Sequence, residues 1–166
     1  MFHHKTMKKY QLLLEIKEIL IKNKLNLSTA ESCTGGLVSS YLTDIDGASN
    51  FIFQNFVTYS NQAKEKFLNV SSKTLNHFGA VSEETAYEMT KGLLNYANCA
   101  IATTGILGPT GGSEEKPIGL VYIGLGLKNK IKIIKYISNK TQRYDIKVDI
   151  VEAALNEFLN FIKSEV

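Results

Sequence analysis

Residues that commonly bind metals are scarce in this sequence, which has two cysteines and three histidines among 166 residues. Cys33 and Cys99 do not form the closely spaced pair of a zinc site, and His77 is the only histidine away from the N-terminus. The sequence therefore predicts no metal site. In a chain without export features, the two cysteines are expected to be free thiols rather than a disulfide.

Long apolar runs are also missing, since none approaches the ~20 residues that a membrane-spanning helix needs. The N-terminal segment contains His3, His4 and Lys5 but lacks the apolar core of a signal peptide. We therefore predict a cytoplasmic protein without membrane contact. The length suits one domain. We assign residues 1–7 to an N-terminal tail or an expression remnant and residues 8–166 to the domain.

An excess of one charge is lacking too, because the net charge is only +3 and the pI is about 8.7. The densest basic cluster comprises Lys128, Lys130, Lys132 and Lys135, which alternate with isoleucines and are interpreted as one face of a strand. A nucleic-acid-binding face is the alternative, but a solvated strand face explains the pattern as well. We do not expect nucleic acid as a partner.

Hydrophobic periodicity predicts strands and helices in alternation. The predicted strands are Leu25–Ala30, Phe51–Tyr59, Cys99–Thr104, Pro117–Gly126 and Lys130–Ser138, with Asn129 in the turn of a hairpin. The predicted helices are Lys8–Asn23, Leu37–Thr43, one capped by Ser60 or Asn61, one from Ser71 or Ser72 to Gly79, one from Ser82 to about Asn98, and one capped by Thr141. This order predicts an α/β fold: a mixed sheet of about five strands between two helical layers, in a single domain.

One junction organises the candidate chemistry, the segment Thr29–Gly36 between the first strand and the next helix. It places Ser32 beyond the carboxyl end of a strand and just before Gly35 and Gly36. The start of a helix offers free backbone N–H groups, which favour an anion or a developing oxyanion. Ser32 is thus a candidate nucleophile, although on its own it is more typical of a helix cap.

A serine nucleophile needs a base, and the usual histidine is missing. His77 falls in a predicted short surface helix, and the chain contains no Gly-x-Ser-x-Gly elbow. Lys64 is the candidate, because burial against the aromatic strand would lower the pKa of its amine toward neutrality. Tyr59, at the end of that strand, could relay a proton or orient the lysine. Taken singly, Lys64 is more typical of a solvated first-turn lysine and Tyr59 of strand packing.

A second glycine-rich loop, Gly105–Gly112, follows the strand that ends at Thr104. If this strand neighbours the first one, both loops face one crevice at the carboxyl ends of the strands. Glycines allow close approach and N–H groups that turn toward a phosphate, although turn formation alone also explains them. No Gly-Lys-Ser/Thr follows, so nucleotide triphosphate hydrolysis is disfavoured.

Several motifs in the same order resemble the C-terminal domain of CinA, the nicotinamide-nucleotide amidase family. They are Thr29–Gly36 (TAESCTGG), Val57–Lys64 (VTYSNQAK), Gly79–Ser82 (GAVS), Ala102–Gly112 (ATTGILGPTGG) and Lys116–Gly119 (KPIG). The resemblance covers about residues 8–163, without the molybdopterin-binding-like domain that precedes it in longer relatives. It is therefore a resemblance to the stand-alone form.

The resemblance implies hydrolysis of nicotinamide mononucleotide to nicotinate mononucleotide and ammonia, in bacterial pyridine nucleotide salvage. Ser32 matches the nucleophile, Lys64 the general base and Tyr59 an assisting tyrosine, with no cofactor. The expected substrate-binding residues are Cys33, Thr34, Gly35, Gly36, Thr104, Gly105, Gly108, Gly111, Gly112 and Arg143. Lys147 stands where a second arginine is usual, and a lysine does not bind phosphate bidentately.

The alternative is a catalytically silent module that holds a nucleotide or a protein and is linked to competence. The sequence favours the enzyme, because all three reactive side chains are present. We also expect a homo-oligomer, since exposed aromatics such as Phe51 and Phe53 would suit a subunit interface.

Overall fold

Five strands form one mixed sheet between helices in the computed structural model, which describes the backbone of residues 2–166 and the side chains of residues 7–166. The strands are β1 (Leu27–Glu31), β2 (Ile52–Val57), β3 (Cys99–Gly105), β4 (Leu120–Leu127) and β5 (Lys130–Ile137). The helices are α1 (Phe2–Lys22), α2 (Leu37–Leu42), α3 (Asn61–Leu68), α4 (Ser72–Phe78), α5 (Glu83–Leu93) and α6 (Arg143–Glu165), with a 3-10 turn at Ala48–Asn50.

The strand order is β2-β1-β3-β4-β5, and the direction of pairing changes across it. Strand β1 lies parallel to both β2 and β3, whereas β4 is antiparallel to both β3 and β5. The carboxyl ends of β1, β2 and β3 therefore meet at one edge, with Glu31 opposite both Val57 and Thr103. The segments that begin at Ser32, Thr58 and Ile106 all leave the sheet at this edge.

Two hydrophobic clusters cover the two faces of the sheet. One packs α1, α2 and α6 against β1, β3 and β4, with Ile101, Val121 and Phe158 buried among them. The other packs α3, α4 and α5 against Ala30, Ala100 and Ala102. The small alanine side chains let this second helical layer approach closely. The predicted three-layer α/β/α fold with a mixed five-stranded sheet is confirmed.

Some local predictions differ from the structure. The predicted cap Thr141 is wrong: Gln142 precedes α6, and its side chain makes no capping hydrogen bond. Helix α5 ends at Leu93, several residues before the expected end. Helix α1 includes residues 2–7, and Met1 lies outside the described residues. The assignment of residues 1–7 to a tail or an expression remnant stays a prediction. Within residues 2–166, each helix is too short or too polar to cross a bilayer.

Two surface expectations also need correction. The four clustered lysines do not share a strand face, because Lys128 lies in the β4–β5 turn and Lys135 points to the opposite side from Lys130 and Lys132. Phe51 is only 1% exposed and belongs to the core, since it precedes β2 where the chain enters the sheet. Phe53 is 57% exposed, as expected. A homo-oligomer and the absence of a nucleic-acid partner stay predictions.

Gly92 on α5 sets how closely this helix approaches α3, which carries Lys64. A Cβ at Gly92 would lie 2.2 Å from the backbone oxygen of Leu68, the last residue of α3. Gly92→Ala should therefore lower the free energy of unfolding by roughly 2–3 kcal/mol, because overpacking outweighs the helix propensity of alanine. Urea denaturation measures the change. Lys91→Ala, at an exposed position on the same helix, should change it by less than about 0.5 kcal/mol, and a stabilised Gly92→Ala protein would contradict the close contact.

Candidate active site

The loop after β1 presents Ser32 at the carboxyl edge of the sheet. The backbone N–H of Ser32 donates to the carbonyl oxygen of Thr103 at 3.0 Å, which continues the β1–β3 pairing by one residue. The chain then turns through Gly35 (φ 60°) and Gly36 (φ 99°), both in the left-handed region that favours glycine. This turn leads directly into α2 and leaves the Ser32 hydroxyl at the sheet edge.

Lys64 reaches the same place from α3. The hydroxyl of Ser60 caps this helix by accepting from the backbone N–H of Ala63 at 3.1 Å, and Lys64 lies one turn inside it. Lys64 is 0% exposed, and its Nζ lies 2.9 Å from Ser32 Oγ. It also donates to the carbonyl oxygens of Thr58 at 2.8 Å and Tyr59 at 3.2 Å. A serine hydroxyl and a buried amine are therefore in direct hydrogen-bonding contact.

The environment of Lys64 shifts its amine toward the neutral form. Burial lowers the pKa of Lys64 from its usual 10.5 to about 8, and the nearby Cys33 opposes this shift. A neutral amine has two N–H groups and one lone pair. The charged amine donates to Ser32 Oγ and to the carbonyl oxygens of Thr58 and Tyr59. In the neutral form the two carbonyls can accept both N–H groups, which leaves the lone pair for the Ser32 O–H. Neutral Lys64 can therefore act as a base toward Ser32 as the nucleophile.

Cys33 lies next to Ser32 but is not activated. Burial raises the pKa of the Cys33 thiol to about 12, although a hydrogen bond with Thr103 acts in the opposite direction. The nucleophilic thiolate is therefore scarce near neutral pH. Cys33 and Cys99 are both buried free thiols.

Ser32 and Lys64 open into a cleft of about 370 Å³, a volume within the usual range for small-molecule sites. The cleft is lined by Ser32, Cys33, Tyr59, Lys64, Ala80, Val81, Thr104, Gly105, Ile106, Leu107, Gly108, Thr110, Gly111 and Arg143. This lining includes a lysine and an arginine but no carboxylate. Because an arginine keeps its positive charge whether or not Lys64 is charged, the lining suits an anionic ligand.

The glycine-rich loop after β3 forms one wall of the cleft. Gly108 (φ 73°) and Gly111 (φ 87°) have left-handed backbone, and the guanidinium of Arg143 donates to the carbonyl oxygen of Gly108. Within the described part of the chain, the N–H groups of Gly108, Thr110 and Gly111 have no backbone or side-chain acceptor. Free N–H groups beside an arginine are what a phosphate needs.

The side chain of Tyr59 lies in the same cleft as Ser32, as expected, but its phenol contacts Arg143. Its contact with Lys64 is made by the main-chain carbonyl. The residue as a whole is 63% exposed, and its phenol accepts from Arg143 Nη2 at 3.5 Å. The direct contact between Ser32 and Lys64 makes a relay through this phenol unnecessary. Tyr59 thus contributes a carbonyl to the lysine and a ring to the cleft rim.

Sequence comparison assigns the domain. A model of the family described as "CinA C-terminal domain" matches residues 9–162. This chain belongs to the CinA C-terminal domain family. A competence-damage inducible protein of Caldicellulosiruptor saccharolyticus is 50% identical over 123 residues, which cover 73% of this chain and 30% of that relative. The chain thus corresponds to about a third of the length of such relatives.

Solved structures resemble the CinA domain over nearly its whole length. The competence/damage inducible protein CihA of Agrobacterium tumefaciens is 41% identical, with a TM-score of 0.87, and the match covers 92% of this chain and 95% of that one. A CinA superfamily protein of Klebsiella pneumoniae is 29% identical with a TM-score of 0.88, covering 94% and 98% of the two chains. The three-layer fold is therefore shared with this family.

Four of the expected substrate-binding residues do not line the cleft of the CinA domain. Thr34 is fully buried and its hydroxyl bonds within the protein, so its side chain supports the loop. Gly35 and Gly36 form the turn itself, and a Cβ on Gly35 would lie 3.7 Å from Lys147 Nζ. Gly112 packs against Ile118 beyond the cleft wall. The other expected residues all line it.

Sequence reasoning missed several cleft residues: Ala80, Val81, Ile106, Leu107 and Thr110. Ala80 is held beside the cleft because its carbonyl oxygen accepts from the Thr104 hydroxyl at 2.6 Å. The GAVS motif indicated that this segment matters. Its position beside the cleft depends on the hydrogen bond from Thr104, which is 24 residues away in sequence. His77 is exposed on the short helix α4, as expected. Among residues whose side chains are described, no group of three or more His, Cys, Asp or Glu could hold a metal ion.

Proposed function

We propose that this CinA domain hydrolyses the carboxamide of nicotinamide mononucleotide to give nicotinate mononucleotide and ammonia. The observation that carries the proposal is the 2.9 Å contact between Ser32 Oγ and the buried amine of Lys64. A serine activated by a desolvated lysine is suited to acyl transfer. The motifs around both residues also match those of the amidase family.

The first step is attack on the carboxamide carbon. Neutral Lys64 takes the proton of the Ser32 hydroxyl along the existing hydrogen bond, and the oxygen forms a bond to the carbon. Negative charge then develops on the amide oxygen. The backbone N–H groups of Cys33 and Thr34 donate to no other residue in the described part of the chain, so they are available to this oxyanion.

The second step releases ammonia. The ammonium of Lys64 returns its proton to the leaving nitrogen as the carbon–nitrogen bond breaks, which leaves an ester on Ser32. Water then attacks the ester while Lys64 accepts a proton from it. The alkoxide leaving group is protonated by Lys64, which restores the serine and the neutral amine. No external oxidant or cofactor enters this sequence.

The charge of the cleft supports a phosphorylated substrate. The loop Gly105–Gly112 offers free N–H groups, and Arg143 stands beside it in a lining that contains no carboxylate. Val81, Ile106 and Leu107 line the same cleft as Ser32, and their apolar side chains would contact the pyridine ring. The 5′-phosphate would then bind at the loop while the carboxamide reaches Ser32.

An ammonia-release assay tests the proposal. Nicotinamide mononucleotide, its riboside and NAD are compared at equal concentrations, since they differ in their phosphate groups but share the carboxamide. We expect turnover of the mononucleotide, with a much lower kcat/KM for the riboside. Binding of the mononucleotide without ammonia release would overturn the proposal in favour of the silent binding module.

Arg143 is expected to contribute to affinity through the phosphate. Arg143→Ala should raise KM for nicotinamide mononucleotide by roughly 10- to 100-fold, because a charge-assisted bond is worth about 1.5–3 kcal/mol. The riboside, which lacks the phosphate, should change by less than about threefold. Lys140→Ala removes an exposed cation just before the same helix and outside the cleft lining, so it is the matched control. An equal loss with both substrates would show that Arg143 acts only by holding Gly108.

A further inference from the structure

Glu31, the last residue of β1, is a fully buried carboxylate beside the candidate nucleophile. Its Oε1 accepts from the hydroxyl of Thr34 and from the backbone N–H of Val38, both at 2.7 Å. Its Oε2 accepts from the backbone N–H and the hydroxyl of Ser39, at 3.0 and 2.6 Å. All four bonds end on the carboxylate oxygens, which is the bonding expected of an ionised carboxylate.

These bonds replace a missing helix cap. The residue before α2 is Gly36, which has no side chain to accept from the first N–H groups of the helix. Glu31 accepts from two of them, at Val38 and Ser39, although it precedes the helix by several residues. One side chain at the end of β1 therefore connects the start of the Ser32 loop to the helix that follows the loop.

The same network reaches the neighbouring strand. The hydroxyls of Thr34 and Thr103 lie 2.7 Å apart, and the carbonyl oxygen of Thr103 accepts from the backbone N–H of Ser32. The direction of the Ser32 side chain thus depends on a buried charge that does not line the cleft. A buried charge of this kind is retained only with its full set of partners, so the loop has little freedom.

We infer that Glu31 is a positioning residue: its carboxylate fixes the loop from Ser32 to Gly36 so that the hydroxyl meets Lys64 and the N–H groups of Cys33 and Thr34 face the oxyanion. This inference rests on the proposed amidase function. It assigns a catalytic consequence to a residue that touches neither substrate nor Lys64.

Glu31→Gln tests the inference, because it keeps the volume of the side chain but replaces one acceptor oxygen with an N–H₂ donor that faces other donors. We expect kcat to fall by roughly 10- to 100-fold, since small misplacements of reacting groups have effects of this size. KM should stay within about threefold of its original value, because the cleft wall at Gly105–Gly111 is untouched. Labelling of Ser32 by a fluorophosphonate should slow in parallel with kcat.

Glu88→Gln is the matched control. Glu88 also accepts a backbone N–H, from Ser71 at 2.6 Å, and a hydroxyl, from Thr74 at 2.7 Å, at the start of the short helix α4. It lies outside the cleft lining. Both variants should lower Tm, but only Glu31→Gln should lower kcat when assayed well below either Tm. A folded Glu31→Gln protein with kcat within twofold of the original would overturn the inference.

Two milder variants decide the question if Glu31→Gln does not fold. Thr34→Val removes the bridge to Thr103, and Ser39→Ala removes one donor while the backbone bond remains. Each should lower kcat and the rate of Ser32 labelling by a few fold, and unchanged values in both would contradict the inference. The labelling needs no amide substrate, so it reports on Glu31 even if nicotinamide mononucleotide is not turned over, an outcome that would refute the amidase proposal alone.

Discussion

Ser32→Ala should lower ammonia release from nicotinamide mononucleotide by about 10⁴-fold or more, because the acyl-enzyme can no longer form. The Ser32 hydroxyl is in direct contact with the Lys64 amine. The adjacent thiol of Cys33 cannot take over, since burial raises its pKa to about 12. A steady-state ammonia assay at saturating substrate measures the loss.

Two further measurements distinguish loss of the nucleophile from loss of the folded protein. The alanine variant should retain its far-UV circular dichroism and bind the mononucleotide, because the hydroxyl is not needed to build the loop. Cys33→Ala should keep kcat within about tenfold, since a small packing change is all that it introduces. If Ser32→Ala kept its turnover while Cys33→Ala lost it, the thiol would be the nucleophile.

The layered fold could be predicted because local patterns determine it. The strand at Cys99–Gly105 is an apolar run, and its pairing beside β1 follows from the need to bury both. That pairing brings two glycine-containing loops to one edge, as predicted. Phe51 was mistaken for a surface residue because an aromatic at the start of a strand has no periodicity that distinguishes its two faces.

The candidate site was predictable in its residue types more than in its contacts. The sequence offers Ser32, Lys64 and Tyr59, but it does not show that the lysine is fully buried or that main-chain carbonyls hold it. Those carbonyls exist as acceptors only because the chain leaves β2 at Thr58 and turns into α3. Tyr59 was predicted at this place for its phenol, whereas its carbonyl is the group that contacts the amine; a catalytic role of the phenol stays a prediction.

The hydrogen bonding of Glu31 to helix α2 could not be predicted from the sequence. A charged residue at the end of an apolar strand must either reach solvent or find partners. The sequence around it contains Thr34 and Ser39, but hydrogen bonding to the backbone of α2 depends on the turn at Gly35 and Gly36. The sequence contained one indication of this role: a charged residue directly before the candidate nucleophile, with no basic residue in the motif to pair with it.

Lys64→Met should also abolish turnover, and its pH dependence identifies the reason. In the unmodified protein, kcat/KM should rise with pH and level off above an apparent pKa of about 8, because only the neutral amine can accept the Ser32 proton. Methionine fills a similar volume without a base, so the variant should lose about 10⁴-fold in kcat. Any residual activity should no longer follow this pH curve, as measured by ammonia release from pH 6 to about 10.

The same amine links stability to pH in a direction that can be measured without substrate. The pKa of Lys64 is lower in the folded protein, about 8, than the usual 10.5 of an unfolded chain, so the unfolded state binds more protons between these values. The free energy of unfolding should therefore increase by about 3 kcal/mol as pH rises from 8 to 10.5, beyond the contribution of the other groups. Below pH 8 both states carry the charge, and its desolvation cost is fully present. Lys64→Met should remove this increase, whereas Lys66→Met, at an exposed position on the same helix, should retain it. If the free energy of unfolding changed with pH in the same way in the unmodified protein and in Lys64→Met, the amine would not be desolvated and the proposed base would be absent.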